Sequence, residues 1–277
     1  MPIAYPYKKK MQPVRVVRWL FSQPAFRPSG RLINRKGGPA MAWSFYPLGD
    51  SAVLIEFGSG VDEKLHQEIR VAVRRIEGRP FPGFIECVPA FTTLCVYYDL
   101  MGLRLPERKM TAFEHVCSLL REMEKTADED KEVQSGQVID IPVCYGGEFG
   151  PDLGLVAELN GLSGEEVVSI HSGERYLVYA IGFAPGFPYL GGMPDRIAAP
   201  RKQTPRLSIP AGSVGIAGAQ TGIYPIETPG GWQIIGRTPL ALFRPEKSPP
   251  TLLKGGDYIR FRPIGEEEYR RLRGMQP

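Results

Sequence analysis

The sequence predicts an α+β protein in two parts, a ferredoxin-like domain followed by a small β barrel or sandwich. Two observations predict it. Between Ser51 and Val143 the chain runs strand, helix, strand, strand, helix, strand, the order of the split β-α-β motif. Residues 182–240 then hold eleven Gly and nine Pro among scattered apolar and aromatic side chains, the pattern of short strands between frequent turns.

Each element of the first part has its own signal. Ser51 to Phe57 is a short apolar run closed by Gly58-Ser59-Gly60, and reads as a strand. Val61, Leu65, Ile69, Val73 and Ile76 recur at helical spacing with charges between them, an amphipathic helix stopped by Gly78 and Pro80. Phe84–Val88 and Thr93–Tyr98 are two further strands joined by a turn containing Pro89. Phe113, Val116, Cys117 and Leu120 mark a second helix, and Val138–Val143 closes the run as its last strand. His66 and His115 fall on the helices with no acid or nucleophile at local spacing, so both read as structural. Glu124–Gln137 is charged and polar and reads as a linker. The division is therefore 43–135 for the ferredoxin-like domain and 136–277 for the second domain.

The second part opens on helices. Gly150-Pro151-Asp152 starts one, with Pro where its missing N–H costs nothing, and Asn160-Gly161 ends it. Ser163 and Glu166 form a Ser-x-x-Glu capping box for another, which stops near Gly173. His171 lies at the end of that helix, where a cation complements the dipole; a polar role in a site is the alternative. In residues 182–240 the prolines argue against long central strands, and the glycines imply turns, bulges or close backbone approach.

Bulk properties exclude several classes. The net charge of +4 misleads, because nine of the 34 basic residues and none of the 30 acids fall in residues 1–40. The remainder carries −5, so a nucleic-acid footprint is not supported there. Residues 1–42 read as a basic extension outside the domains. Ordered patterning begins after Met41, which reads as the native start, with a basic tail or a targeting peptide as alternatives. The four cysteines form no Cys-x-x-Cys pair and suit buried thiols in a reducing cytoplasm. No apolar run approaches the roughly 20 residues of a membrane span.

Motifs for autonomous chemistry are missing. Ala211-Gly212-Ser213-Val214-Gly215 resembles a relaxed nucleophile elbow, but no helical pattern follows, so Ser213 reads as part of a turn between strands. No phosphate loop, dinucleotide fingerprint, zinc-protease motif or calcium loop occurs, and no metal site is expected. What remains is one segment rich in ligand-type groups. Arg201, Lys202, Arg206 and Arg237 suit carboxylate or phosphate. Gln220, Thr221 and Tyr224 suit an amide, and Phe183, Phe187, Tyr189 and Trp232 suit the walls of an apolar pocket. The alternative is that the aromatics are barrel core and the arginines solvated.

The run Gly182-Phe183-Ala184-Pro185-Gly186-Phe187-Pro188-Tyr189-Leu190-Gly191-Gly192 closely resembles a known family. So do Thr204-Pro205-Arg206, Ile209-Pro210-Ala211-Gly212-Ser213-Val214 and Gln220-Thr221-Gly222-Ile223-Tyr224-Pro225. Thr228-Pro229-Gly230-Gly231-Trp232, Ile235-Gly236-Arg237-Thr238-Pro239-Leu240, Tyr46–Asp50 and Tyr145–Leu153 extend the likeness over about residues 43–265. The family is that of the 5-oxoprolinase B subunit, also called the KipI family or allophanate hydrolase subunit 1.

The resemblance implies a cyclophilin-like β barrel for the second domain. It implies a cytoplasmic complex with two further 5-oxoprolinase components, the C subunit, a related barrel protein, and the A subunit. It implies opening of 5-oxo-L-proline to L-glutamate, driven by ATP with Mg at the level of the complex. Within that reading Arg206, Arg237 and His171 are the catalytic candidates, and Phe183, Phe187, Tyr189, Gln220, Thr221, Tyr224 and Trp232 bind substrate. The same family also points to two other roles, inhibition of a histidine kinase and a urea carboxylase or allophanate hydrolase pathway.

Overall fold

The computed structural model describes residues 43–58, 62–106, 110–125 and 136–275. The basic extension 1–42, and residues 126–135 of the expected linker, lie outside the described residues.

The first part consists of β1 (Ser44–Pro47), β2 (Ala52–Glu56), α1 (Glu63–Gly78), β3 (Phe84–Pro89), β4 (Thr93–Tyr98) and α2 (Ala112–Lys125). Helix α1 starts because the Asp62 side chain accepts from the Leu65 N–H at 2.8 Å, which satisfies one of the open donors of the first turn. Leu65, Ile69, Ala72 and Ile76 then face inward at helical spacing. Thr111 and Glu114 cap α2 reciprocally, each side chain accepting from the other's backbone N–H. The strands form one antiparallel sheet in the order β1-β2-β4-β3. Leu94, Val96 and Tyr98 on one face of β4 pack with the apolar faces of α1 and α2.

The closing strand of this sheet differs from the expectation. The place beside β2 is taken by Ser44–Pro47, and Val138–Tyr145 (β5) lies in the barrel instead. The physical reason is pairing on both edges. β5 hydrogen-bonds in parallel to β13 (Tyr258–Pro263) and antiparallel to β12 (Gln233–Arg237), and its Ile141 and Val143 are fully buried in the barrel core.

The second part continues through α3 (Leu153–Asn160), α4 (Gly164–Gly173), β6 (Arg175–Ile181), β7 (Pro188–Gly191), β8 (Arg206–Ile209), β9 (Ser213–Ala217), β10 (Gln220–Ile223) and β11 (Thr228–Gly230). After β12 and β13 a last helix, α5 (Glu266–Gly274), packs Tyr269 on Phe149, ring centroids 4.6 Å apart; sequence patterning did not anticipate it. Seven strands close a barrel in the order β10-β7-β6-β13-β5-β12-β9, while β8 and β11 form a separate ribbon. Closure leaves no open sheet edge in the barrel. Val178, Leu190, Val214, Ile216, Ile235 and Ile259 belong to the core, together with Val156 and Val167 from α3 and α4. The capping box Ser163–Glu166 is present in both halves, and Gly161 ends α3 in the left-handed conformation. Helix α3 begins at Leu153, one residue after Asp152, whose side chain makes no capping bond. That freedom lets the carboxylate serve elsewhere.

The two parts meet through rings. Phe91, in the turn between β3 and β4, stacks on Tyr179 of β6 at 5.2 Å and meets Tyr189 of β7 edge-on at 6.0 Å. His66 of α1 meets Tyr179 at 5.1 Å, and Glu63 accepts a hydrogen bond from Tyr258.

Candidate functional site

The polar centre of the site is Asp152, which reads in the sequence only as a helix-start residue. The Gly150-Pro151 turn sets it beside β12, where its backbone N–H donates to Ile234 O at 2.9 Å. Its side chain is almost wholly buried and accepts four hydrogen bonds. Arg206 grips both oxygens at 2.8 Å each, Lys202 donates at 3.3 Å, and the Ile234 N–H donates at 2.7 Å. Burial alone would raise the carboxyl pKa. The Arg206 hydrogen bonds, the Ile234 N–H, the Arg206 charge and Lys202 outweigh it, so the group is held below its usual range. The pair is bidentate, the geometry in which a guanidinium is held most firmly.

Arg206 therefore differs from its expected part. Two of its nitrogens are committed to Asp152, and that pair ties the β8 ribbon to the start of α3. Arg237 does not join this group. It ends β12 three residues beyond Ile234, about 10 Å further along at strand spacing. Its Nε is buried without a hydrogen-bond partner among the described residues.

The predicted aromatics are brought together. Phe187 is the hub, with ring centroids at 5.5 Å from Phe183, 5.1 Å from Tyr189, 5.6 Å from Tyr224 and 5.7 Å from Trp232. Tyr224 and Trp232 meet each other at 6.3 Å, all edge-to-face, the arrangement that ring quadrupoles favour. Two glycines make room. A Cβ on Gly222 would stand 2.9 Å from the Phe187 ring, and one on Gly230 would stand 2.5 Å from the Tyr224 hydroxyl. Phe183 has φ +68°, the one non-glycine residue with positive φ among those described. It is held there by Ala184 N–H to Gly182 O at 2.8 Å and Gly182 N–H to Phe187 O at 3.0 Å. Strain of this kind persists only where surrounding structure fixes it, and it concentrates at functional loops.

The loop before β8 is tied to the segment that leads into β12 by two hydrogen bonds. Gln233 Nε2 donates to Pro200 O at 2.9 Å, and the Lys202 N–H donates to Gly231 O at 2.7 Å. Residues 200–202 are thereby fixed against the start of β12. Burial raises the Tyr189 and Tyr224 hydroxyls to about 12; the Arg201 charge opposes the rise at Tyr189, and the Trp232 backbone hydrogen bond, then Arg201 and Arg206, oppose it at Tyr224.

His171 and Thr221 form a separate, enclosed network. Thr221 donates its one hydroxyl proton to Gly215 O at 3.1 Å, so it must accept from His171 Nε2 at 2.9 Å. His171 Nδ1 then accepts from the Tyr145 hydroxyl at 2.8 Å. The imidazole has no solvent exposure, and burial lowers its pKa to about 3. This corrects two expectations. A neutral ring cannot complement the helix dipole as a cation, and an enclosed ring with both nitrogens engaged is a core hydrogen-bonding centre rather than a group that meets substrate. Thr221 is likewise fully buried, whereas Gln220 begins β10 half-buried. Ser213 opens β9, its hydroxyl donating to Pro210 O at 2.7 Å, so the rejected elbow is a turn between strands.

Comparison with known proteins is consistent across sequence and fold. The family described as carboxyltransferase domain, subdomain C and D, matches residues 43–253. The 5-oxoprolinase B subunit of Bacillus subtilis is 57% identical over 224 residues, covering 80% of this chain and 93% of that protein. The crystal structure of TTHA0988 superposes with a TM-score of 0.66 at 35% identity; it covers 77% of this chain, which spans only 40% of that longer chain. The Kluyveromyces lactis urea amidolyase shares the fold with a TM-score of 0.66 at 20% identity, over 87% of this chain and 16% of that one. With relatives this similar along nearly their whole length, the chain belongs to the family of 5-oxoprolinase B subunits.

Proposed function

We propose that this chain is the B subunit of an ATP-dependent 5-oxoprolinase complex that opens 5-oxo-L-proline to L-glutamate. The observation that carries the reading is the 57% identity to the Bacillus subtilis protein, running through 93% of its length. A role as one subunit implies a larger enzyme, and we take the partners to be the C subunit, built on a related barrel, and the A subunit. The barrel of this chain is read as cyclophilin-like, and residues 43–135 and 136–277 as its two domains. Four free cysteines suit a cytoplasmic setting.

The site chemistry suits part of such a reaction. An amide carbonyl resists attack because resonance delocalises its nitrogen lone pair. Opening the ring places negative charge on the carbonyl oxygen, and fixed cations in a water-poor cleft stabilise it. Arg201, Lys202 and Arg206 supply positive charge beside the Phe187 aromatic cluster, and Asp152 neutralises part of it.

The same residues do not fit a Mg–ATP site. The central carboxylate is already covered by two cations and a backbone N–H. Among the described residues no three His, Cys, Asp or Glu side chains group to hold a metal. We take ATP and Mg to act at the level of the assembled complex.

The test is co-expression with the candidate A and C partners, followed by an assay of 5-oxoproline-dependent ATP hydrolysis and glutamate release. Both are expected together. Hydrolysis driven only by urea or allophanate, or a response confined to histidine-kinase autophosphorylation, would replace this reading with one of the alternatives.

A further inference from the structure

We infer that Lys202 is the cation that takes the carboxylate of a cyclic amide acid, and that Asp152 holds its ammonium in place beforehand. This deepens the reading of the chain as part of a 5-oxoproline-opening enzyme and rests on it. It gives substrate recognition to the one cation of the Asp152 cluster that can leave its partner at little cost.

Asp152 holds its two cations unequally. Arg206 donates to both carboxylate oxygens at 2.8 Å, and the Ile234 N–H adds a third short bond at 2.7 Å. Lys202 Nζ shares Oδ1 with Arg206 and stands farther off, at 3.3 Å. When Lys202 turns away, both oxygens of the buried carboxylate keep a short partner, so no uncompensated charge is left behind. When Arg206 turns away, Asp152 keeps only the N–H and the longer ammonium contact. A guanidinium gripped along one edge by two parallel bonds is fixed, whereas an ammonium on a four-carbon stem rotates. The ammonium also has three donors, of which Asp152 takes one among the described residues.

The backbone of Lys202 is fixed while the end of its side chain is not. Its N–H donates to Gly231 O at 2.7 Å, and Pro200 O accepts from Gln233 Nε2 at 2.9 Å. Close packing repeats the placement, since a Cβ on Gly231 would meet Lys202 O at 3.6 Å and the Pro205 ring at 3.7 Å. Arg206 lies across the β8–β11 ribbon from Gly230, and a Cβ on Gly230 would stand 2.5 Å from the Tyr224 hydroxyl. Hydrogen bonds, strand register and glycine contacts thus set both cations at the edge of the aromatic cluster. The Lys202 side chain keeps 28% exposure and residues 203–205 beside it are exposed, so an anion reaches the ammonium from solvent without moving a buried ring. Two cations on one carboxylate leave one positive charge uncancelled. A substrate carboxylate supplies the missing negative charge through charge-assisted hydrogen bonds.

The experiment uses the complex assembled with its partner proteins, carrying wild-type chain, Lys202→Met or Lys202→Arg, and assayed well below its melting temperature. Met keeps an unbranched stem and removes the charge. Losing a charged hydrogen bond made equally to substrate and transition state raises KM by roughly 10–100-fold and spares kcat. We expect that rise for 5-oxoproline in Lys202→Met, a smaller rise in Lys202→Arg, and a KM for ATP within about twofold of wild type in both. An unchanged KM for 5-oxoproline in an active Lys202→Met complex would overturn the subsite and leave the proposed function standing. A rise in KM for ATP as large as that for 5-oxoproline overturns it as well, because the cation then serves the nucleotide. If the wild-type complex opens no 5-oxoproline, the functional reading fails on its own. In that case, or where a variant turns over too slowly for KM to be read, calorimetric titration of 5-oxoproline into the full chain decides. Binding weakened by about tenfold or more in Lys202→Met supports the subsite; absent binding, or binding equal in both, overturns it. Because Asp152 keeps its three short bonds, Lys202→Met should melt close to the wild type, and a large drop in a thermal scan with KM unchanged would mark Lys202 as structural only.

Discussion

Asp152 and Arg206 are joined by two parallel contacts of 2.8 Å, while a third hydrogen bond of 2.7 Å secures Asp152 to the Ile234 N–H. Three stretches distant in sequence, the start of α3, the β8 ribbon and β12, thus share one carboxylate. Removing it leaves Arg206 and a backbone donor without their acceptor. Because the Arg206 side chain is 28% exposed, water compensates part of the loss. Asp152→Ala should cost about 2–3 kcal/mol, below the usual range for a fully buried broken pair. Asp152→Asn, which can still accept from Ile234, should cost less. Urea unfolding midpoints of the two variants check the order.

The Asp152 carboxyl also sets an acid limit. Its folded pKa is depressed, so its contribution is present above the unfolded value of about 3.9 and is lost as pH falls through the lower folded value. Two histidines act earlier on the pH scale. His66 is lowered to about 4 by burial and by the Arg70 charge, with Glu63 opposing, and His171 to about 3 by burial. An unfolded chain takes up these protons below about pH 6.5 and the native state does not, so stability declines from there downward. Each histidine contributes a slope of at most about 1.4 kcal/mol per pH unit. Urea midpoints measured from pH 7.5 to 5 should fall, and His66→Phe should flatten part of the fall.

Thr221 supplies the only acceptor for His171 Nε2 seen among the described residues. Thr221→Val keeps the shape and removes that acceptor, leaving a buried N–H unsatisfied at a cost of about 1–3 kcal/mol. Since the network is sealed from solvent, KM for substrate in the assembled complex should stay within about twofold. Denaturation and steady-state kinetics on the same variant separate the two outcomes.

The thiols should be quiet. Burial, with smaller contributions from neighbouring acidic groups, pushes Cys87 to about 12, and burial pushes Cys95 to about 11 against a hydrogen bond with Tyr97. Cys117 is pushed to about 12 by burial, against the Arg121 charge. Thiolate is the reactive form, so native protein at pH 7.5 should react slowly with a disulfide reagent, and urea-unfolded protein should release all four equivalents promptly. Rapid titration of Cys87 or Cys117 in the native state would contradict this packing.

The elements with strong local signals were legible in the sequence. Helix α1 followed from Leu65, Ile69 and Ile76 at helical spacing, and α4 from its capping box. Membership of Phe183, Phe187, Tyr189, Tyr224 and Trp232 in one cluster also came through, because the motifs that contain them marked a shared region. What local pattern cannot encode is which sheet a strand joins. Val138–Tyr145 fits either sheet on composition, and its place was decided by Tyr258–Pro263, more than a hundred residues later. Asp152 was missed for a similar reason. A carboxylate after Gly-Pro looks like a helix start, and its partners lie 50 to 82 residues onward. His171 was misjudged because its enclosure depends on Tyr145, Thr221 and Phe261, none of them near it in sequence.

Phe91 has a practical consequence for anyone dissecting the molecule. Its ring touches both Tyr179 and Tyr189, so one neighbour of the aromatic cluster comes from the turn between β3 and β4. A fragment beginning at residue 136 would keep every site arginine discussed above and still lose the ring that meets Tyr189 edge-on and stacks on Tyr179. Studies of ligand recognition in this protein therefore need both halves in one polypeptide.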